Sequence, residues 1–412
     1  MNPRTDHYPN GDSFRHSLNT RYRAASIWQA AFLSALLIAI LSLTALLYNV
    51  VDGAFGFVAY EYKKDPATFT SKPLSELTKD DLLAILKDNL SPGAYKKLDT
   101  EKTMASRSQA DLYSLFLERL VQIDTKATWS MTDSILRADE IRADVAEKYP
   151  DATLEFRSWL TPQFLVSPMS SKAEFAGVRT AILGSLWLVG IAILFALPIG
   201  VGAAIYLQEY APKNWLTKII QTNINNLAGV PSIVYGMLGL AIFVRVLEPF
   251  TSGSLFGVTD SNGRTILAAG LTMGVLVLPL IIINAQEAIK SVPDSLRQAA
   301  FGVGATRWQT VWHHVLPNAL PGILTGTILA ISRALGETAP LIVVGASTFI
   351  SVDPSGPFSK FTALPIQIYQ WTTRAQSEFH AIAAGAILVL LALLLTLNAT
   401  AITLRNRFQR KY

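Results

Sequence analysis

Apolar residues in this chain are gathered into long uncharged runs. Residues 27–47 and 180–207 carry no charge, and 381–404 is almost wholly aliphatic. An ~30 Å hydrocarbon layer takes roughly 20 residues of helix, so each run predicts a membrane span. The runs 227–244 and 265–283 are shorter and equally uncharged, and 321–348 is apolar apart from Arg333 and Glu337. Six spans follow, all helical, because backbone polar groups in lipid must be satisfied within the segment. Between the first two spans, Leu82, Leu83, Ile85 and Leu86, and then Leu112, Leu115, Phe116, Leu120 and Val121, recur at helical spacing. The expected fold class is an all-α polytopic membrane protein with a mainly helical domain between helices 1 and 2.

The lysine and arginine distribution orients the spans. With the N-terminus inside, Arg4, Arg15, Arg21, Arg23, Lys213, Lys218, Lys290, Arg297, Arg307, Arg405, Arg407, Arg410 and Lys411 face the cytoplasm, while the short outer connections 248–264 and 350–379 hold Arg264, Lys360 and Arg374. Both termini are thus expected in the cytoplasm and the long segment after the first span outside. The expected division is a cytoplasmic tail 1–26, disordered by composition, an anchor helix 27–48, a periplasmic domain 49–175, a five-span core 176–404 with a long inner loop 285–320, and a tail 405–412. The first run is expected to be retained, since no A-x-A cleavage pattern follows Leu47. Arg179 and Arg245, at outer span ends, read as snorkelling anchors.

Composition narrows the chemistry. The 412 residues are 50% hydrophobic and 16% charged, against roughly 25% charged in soluble domains. Zero cysteines exclude disulfides and thiolate metal sites, and five histidines argue against a multi-histidine centre. The net charge of +5 sits beside the spans and is no nucleic-acid footprint. No G-x-x-x-x-G-K-[ST] loop is present to cradle nucleotide phosphates. Neither an enzyme nor a cofactor is expected. In the outer domain, Glu118 with Arg119, and Asp139 and Glu140 with Arg142, read as solvated helix faces.

Several motifs remain. Gly270-x-x-x-Gly274 and Gly322-x-x-x-Gly326 predict close helix packing. Pro198, Pro279 and Pro340 lie within predicted spans and permit bends. In the inner loop, Pro293 and Asp294 open one short helix, Gly302 and Gly304 break it, Thr306 with Gln309 forms a capping box for a second, 307–315, and Pro317 is expected to end it. Trp308, Val311 and Trp312 lie at nearly helical spacing on that second piece, where anchoring at lipid headgroups is the simpler reading. Arg333 and Glu337 are four apart and expected on one helix face. Ionisable groups within a span cost roughly 2.5–3.5 kcal/mol each, so they mark either a pathway or a self-neutralising structural pair. Asn226 and Ser232 offer neutral donors to a pathway or to a neighbouring helix.

The loop sequence Gln298-Ala299-Ala300-x-x-x-Gly304, continuing to Leu316-Pro317, resembles the EAA loop of permease subunits of binding-protein-dependent ABC importers. Gln298 replaces the usual Glu, and His314 a usual aliphatic residue. Ser332 to Pro340 resembles the R-A-x-G-E-T-A-P segment of phosphate importer permeases, and Asn225 to Gly236 and Leu207 to Pro212 resemble further segments of that family. The likeness runs from about Trp159 onward and is to the PstA type, in an extended form with an enlarged periplasmic domain.

This resemblance implies a type I ABC importer permease core in the bacterial inner membrane, multi-pass, forming half of an ATP-driven phosphate pathway. It implies as partners a PstC-type second permease, a cytoplasmic ATPase dimer, a periplasmic phosphate-binding protein, phosphate itself and membrane lipid. Arg333, Glu337, Asn226 and Ser232 are the expected pathway residues. Gln298, Ala299, Ala300, Gly304, Trp308, Leu316 and Pro317 are expected to couple to the ATPase. Competing readings are a permease for sulfate or molybdate, a proton-coupled secondary transporter using Glu337, and a signalling protein.

Overall fold

The computed structural model describes residues 11–70, 72–73, 76–101, 103–258, 262–347, 349–350 and 352–408. The expectations for Arg4, the first ten residues of the tail, Arg410 and Lys411 lie outside the described residues. The chain forms two compact units, Met1–Asp52 and Gly53–Tyr412. The first is built on one long helix, α1 (Gly11–Ala54), which contains an apolar stretch long enough to cross a membrane. Residues 11–26, expected to be disordered, are helical. Extending an existing helix adds one hydrogen bond per residue without a new nucleation step, so a span propagates readily into polar sequence that lacks proline.

In the second unit, β1 (Phe55–Tyr62) leads into α2 (Lys79–Asn89), α3 (Pro92–Glu101), α4 (Gln109–Phe116), β2 (Ile123–Thr128), α5 (Met131–Leu136), α6 (Ala138–Lys148), β3 (Thr153–Ser158) and α7 (Pro162–Val166). Then come α8 (Arg179–Ile205), α9 (Trp215–Ala228), α10 (Ser232–Gly239), α11 (Glu248–Thr251), α12 (Ile266–Lys290), α13 (Asp294–Gly302), α14 (Arg307–Thr310), α15 (Leu316–Gly336), α16 (Ala339–Val344), α17 (Leu364–Thr372) and α18 (Ser377–Phe408).

Helices dominate, as expected. The domain between the first two spans also holds a three-stranded antiparallel sheet, ordered β2-β1-β3, with Val58 opposite Thr128 and Phe57 opposite Phe156. Along the chain this sheet is inconspicuous, because β1 follows the apolar helix without a break and its partners lie far downstream. The two leucine-rich stretches form helices as anticipated, and Leu82, Leu86, Leu112 and Phe116 are fully buried in one core. Thr78 and Asp81 form a capping box at the start of α2. The Lys72 ammonium, 2.8 Å from Asp81, acts with Thr78 to hold that carboxyl down at about 2. Asp139 and Arg142 pair at 3.1 Å on an exposed helix face.

Among the described residues, five helices are long and apolar enough to cross a membrane: Phe14–Ala54, Arg179–Tyr210, Ile266–Lys290, Arg307–Gly336 and Ser377–Arg407. The sixth predicted span, 227–244, is not a straight helix. Trp215–Ala228 and Ser232–Val246 meet at 103° across residues 229–231. Pro231 lacks an N–H and disfavours helix at the residue before it, so the chain must turn there. The second arm would measure only roughly 22 Å at 1.5 Å per residue, too little for a crossing by itself.

The glycine motifs pack as predicted. A Cβ on Gly270 would lie 2.7 Å from the Ile191 side chain, and one on Gly274 2.7 Å from Phe195, so α8 and α12 approach closely. Likewise a Cβ on Gly322 would lie 2.7 Å from Ala288 Cβ, and Gly326 abuts Asn284, joining α15 to α12. Pro198 and Pro279 lie inside continuous helices. Pro340 instead opens α16.

Candidate functional site

Two places where helices are interrupted carry the residues singled out above. At the first, α15 ends at Gly336, and Glu337 is its C-cap with extended backbone (φ −79°, ψ 125°). The expectation that Arg333 and Glu337 share one helix face is therefore corrected. Arg333 is in the last turn, and Glu337 reaches it from beyond the helix end, with Nε and Oε1 3.6 Å apart. A guanidinium there also complements the negative end of the helix macrodipole. The pair is partly accessible, its side chains 38% and 22% exposed. Ser332 Oγ lies 3.0 Å from both the Ile328 carbonyl and Asn398 Oδ1, tying this turn to α18.

The other broken element packs directly on this break. A Cβ on Gly236 would lie 2.7 Å from Pro340 Cα and 3.0 Å from its carbonyl oxygen, so α10 and α16 meet backbone to backbone. Ser232, half-buried, opens α10, and Asn226 is exposed in the last turn of α9, across the bend. The contacts thus join the Ser232 helix to the Arg333–Glu337 break. Tyr235 was not anticipated. Its buried side chain donates from the hydroxyl to the Leu227 carbonyl at 2.7 Å and clasps the two arms of the bend. Gln221 and Gln286 exchange paired amide hydrogen bonds of 3.0 and 2.8 Å, holding α9 on α12.

The second interruption is the loop between α12 and α15. Helix α13 closes with Gly304 N–H on the Phe301 carbonyl and Ala305 N–H on the Ala300 carbonyl, both 3.0 Å. This is the glycine-closed helix end in which the residue after the cap is left-handed. Gly304 has φ +83° and open space around it, so its requirement is backbone conformation and not room. The predicted capping box is present: Thr306 N–H donates to Gln309 Oε1 at 2.9 Å, and Gln309 N–H to Thr306 Oγ1 at 3.3 Å.

Gln298 and Ala299 are exposed, Ala300 is buried, and Leu316 and Pro317 are half-buried. Trp308 and Trp312 stack with centroids 5.4 Å apart and are 59% and 52% exposed. Pro317 does not end the second piece. The helix runs through a π turn, Val311–Val315, into α15. The wider turn relieves the clash a proline ring makes with the carbonyl four residues back.

Along the chain Arg297 shows no role beyond its charge. Its guanidinium contacts Glu209 Oε1 at 2.8 and 3.2 Å. The available signal was a cation in the first turn of a helix, where the macrodipole disfavours it unless a partner lies elsewhere. Arg179 is likewise no simple anchor. Its Nε lies 2.9 Å from Asp353 Oδ2, and Thr180 Oγ1 donates to the other oxygen at 2.9 Å. Beside it a cavity of about 550 Å³ is lined by Arg107, Asp111, Ser114, Glu118, Arg119 and Asp353.

Residues 196–411 match the family described as binding-protein-dependent transport system inner membrane component. The chain is similar to the probable ABC transporter permease protein YqgI of Bacillus subtilis (strain 168), 33% identical over 266 residues, 62% of this chain and 86% of that protein. It is also similar to the phosphate transport system permease protein PstA 1 of Mycobacterium tuberculosis (strain CDC 1551 / Oshkosh), 34% identical over 234 residues, 56% of this chain and 72% of that one. Similarity extends to the phosphate transport system permease protein PstC of Haemophilus influenzae (strain ATCC 51907 / DSM 11121 / KW20 / Rd), 35% identical over 209 residues, covering 46% and 64%.

Proposed function

Since this chain belongs to the family of binding-protein-dependent transport system inner membrane components, we propose that it forms one half of the pathway of an ATP-driven phosphate importer. It is a multi-pass ABC importer permease subunit and not an enzyme. ATP hydrolysis belongs to a separate subunit, and the transported molecule is presented by a binding protein.

The observation that carries phosphate is the Arg333–Glu337 pair, set where two broken helical elements meet. A guanidinium presents planar N–H donors that match a tetrahedral oxyanion, and in a low-dielectric setting such charge-assisted bonds are strong. Glu337, at 3.6 Å, restrains Arg333 without closing a short hydrogen bond on it, so an arriving anion can compete for the guanidinium. Asn226 and Ser232 supply neutral donors along the same route. Similarity to both PstA and PstC proteins supports this cargo, and the segment 332–340 favours the PstA role with a PstC-type partner. Large apolar side chains left exposed on α9 and α10, among them Trp215, Leu216, Met237 and Leu238, suit cover by lipid or by that second permease.

In this reading both termini and the loop between α12 and α15 are cytoplasmic, and the domain after α1 is periplasmic. Gln298, Ala299, Ala300, Gly304, Trp308, Leu316 and Pro317 form or brace the helix that seats in a groove of an ATPase dimer. Closure of that dimer moves the loop and turns the core toward a periplasmic phosphate-binding protein. Reconstitution tests the proposal: the chain, its companion permease, the ATPase and the binding protein are placed in proteoliposomes and labelled phosphate is followed. ATP-dependent phosphate uptake that excess sulfate and molybdate fail to compete is expected. Preferred uptake of either competitor reassigns the cargo, and uptake by this chain alone under a proton gradient defeats the importer reading.

A further inference from the structure

We propose that Arg297 and Glu209 form a fixed joint that carries movement of the α13–α14 loop into α8 and α12. This rests on the coupling role proposed for the loop and names the residues that transmit it. Arg297 Nη2 and Nε lie 2.8 and 3.2 Å from Glu209 Oε1, at the end of the π turn that extends α8. The same guanidinium donates from Nη2 to the Ile289 carbonyl at 3.0 Å, in the last turn of α12, and from Nη1 to the Val292 carbonyl at 2.7 Å. Nη1 also meets Asp294 Oδ1 at 3.1 Å, within α13. One side chain thereby binds the loop helix, the end of α12 and the end of α8.

Burial separates this contact from the rest of the loop surface. Arg297 and Glu209 are 15% and 14% exposed, whereas the flanking Gln298, Ala299 and Phe301 face outward. Beneath the loop the remaining contact is apolar, with Val292, Val315, Ala285 and Ala288 packed around Ile289. Apolar surfaces of this kind slide past one another at small cost, which is how packed helices shear. A guanidinium held by two carboxylates and two carbonyls has fixed donor directions and resists sliding. Lysine would supply the charge without the fork, so the joint requires arginine.

The test uses the assembled transporter in nanodiscs or proteoliposomes and reads phosphate moved per ATP hydrolysed, alongside co-purification of the ATPase. R297Q and E209Q are expected to keep the ATPase bound and hydrolysing while the transport-to-hydrolysis ratio falls at least tenfold, with R297K intermediate. Because the chain has no cysteine, the double variant R297C/E209C can be bridged by a short bis-methanethiosulfonate linker. Bridging is expected to restore the ratio, and reduction to remove it again. An unaltered ratio in R297Q with the complex intact overturns the joint. So does loss of assembly that the bridged variant fails to repair, which would make the pair purely structural. If the unmodified chain binds no ATPase, the coupling reading itself falls and takes the joint with it.

Discussion

The two interruptions differ in what holds them open. In the loop, α13 is stopped by its own residues: a left-handed Gly304, a reciprocal Thr306–Gln309 cap, and few neighbours on the outward side. At the membrane break, α15 stops at Gly336 without a left-handed residue, and α10 presses on the segment that follows through Gly236 and Pro340. The first is a wholly local chemical stop; at the second a local cause, the Pro340 ring against the carbonyl four residues back at Gly336, is joined by packing from α10. Changes in the loop should therefore disturb transmission while the spans remain folded, and changes at the break should disturb cargo handling and packing together.

The largest effect is expected from R333Q. Loss of a charged donor for the anion should lower phosphate uptake roughly 100-fold, the ~3 kcal/mol upper worth of a hydrogen bond to a charged group. Co-purification of the complex should be retained. Loss of assembly instead would make the ion pair a structural clamp and erase the distinction drawn for this break.

G236V should come next. Its side chain would meet Pro340 backbone, which cannot swing aside, so about 1–3 kcal/mol of overpacking is expected. Uptake and the melting temperature of the purified chain should drop together. A fall in uptake at unchanged melting temperature would show that packing does not hold the break.

G304V should act oppositely. A branched side chain at φ +83° is disfavoured by about 1–2 kcal/mol even with open space around it. ATP-coupled transport should fall while the melting temperature of the spans stays put. Normal coupling would count against a docking turn.

The smallest effect lies outside both breaks and serves as a control. Asp81 is held at about 2 against an ordinary 3.8 by Lys72 and Thr78. A depressed carboxyl contributes stability that is present above its unfolded pKa and is lost as pH falls through the folded one. Unfolding of the domain that holds α2 should therefore grow easier from about pH 4 to pH 2 in the unmodified chain, and this slope should flatten in D81N. Transport at neutral pH should be unaffected by either interruption's logic.

What could be read along the chain was whatever is settled within a turn or two. The apolar runs fixed most of the spans because a hydrocarbon layer demands length and lack of charge, properties of consecutive residues. The Thr306–Gln309 cap, the Gly304 turn and the helix opened by Pro293 and Asp294 were legible for the same reason: each partner is at most a few residues away. The paired glycines announced close packing, though not which helix would be met.

Tertiary structure decided the rest. Gly336 and Pro340 supply a local reason for a helix end near residue 337, yet the run stays apolar through 348, and the break is fixed where α10 packs against Pro340. The bend at 229–231 has a local cause in Pro231 that the reading of 227–244 as one span does not use, and its 103° angle is braced by the Tyr235–Leu227 and Gln221–Gln286 bonds. The three-stranded sheet joins β1 to strands far downstream, and Arg297 finds Glu209 88 residues away. A side chain's local pattern states what it needs, a partner for a charge or a close neighbour for a glycine. Only the folded chain, by choosing which distant surfaces to bury together, determines which residue answers.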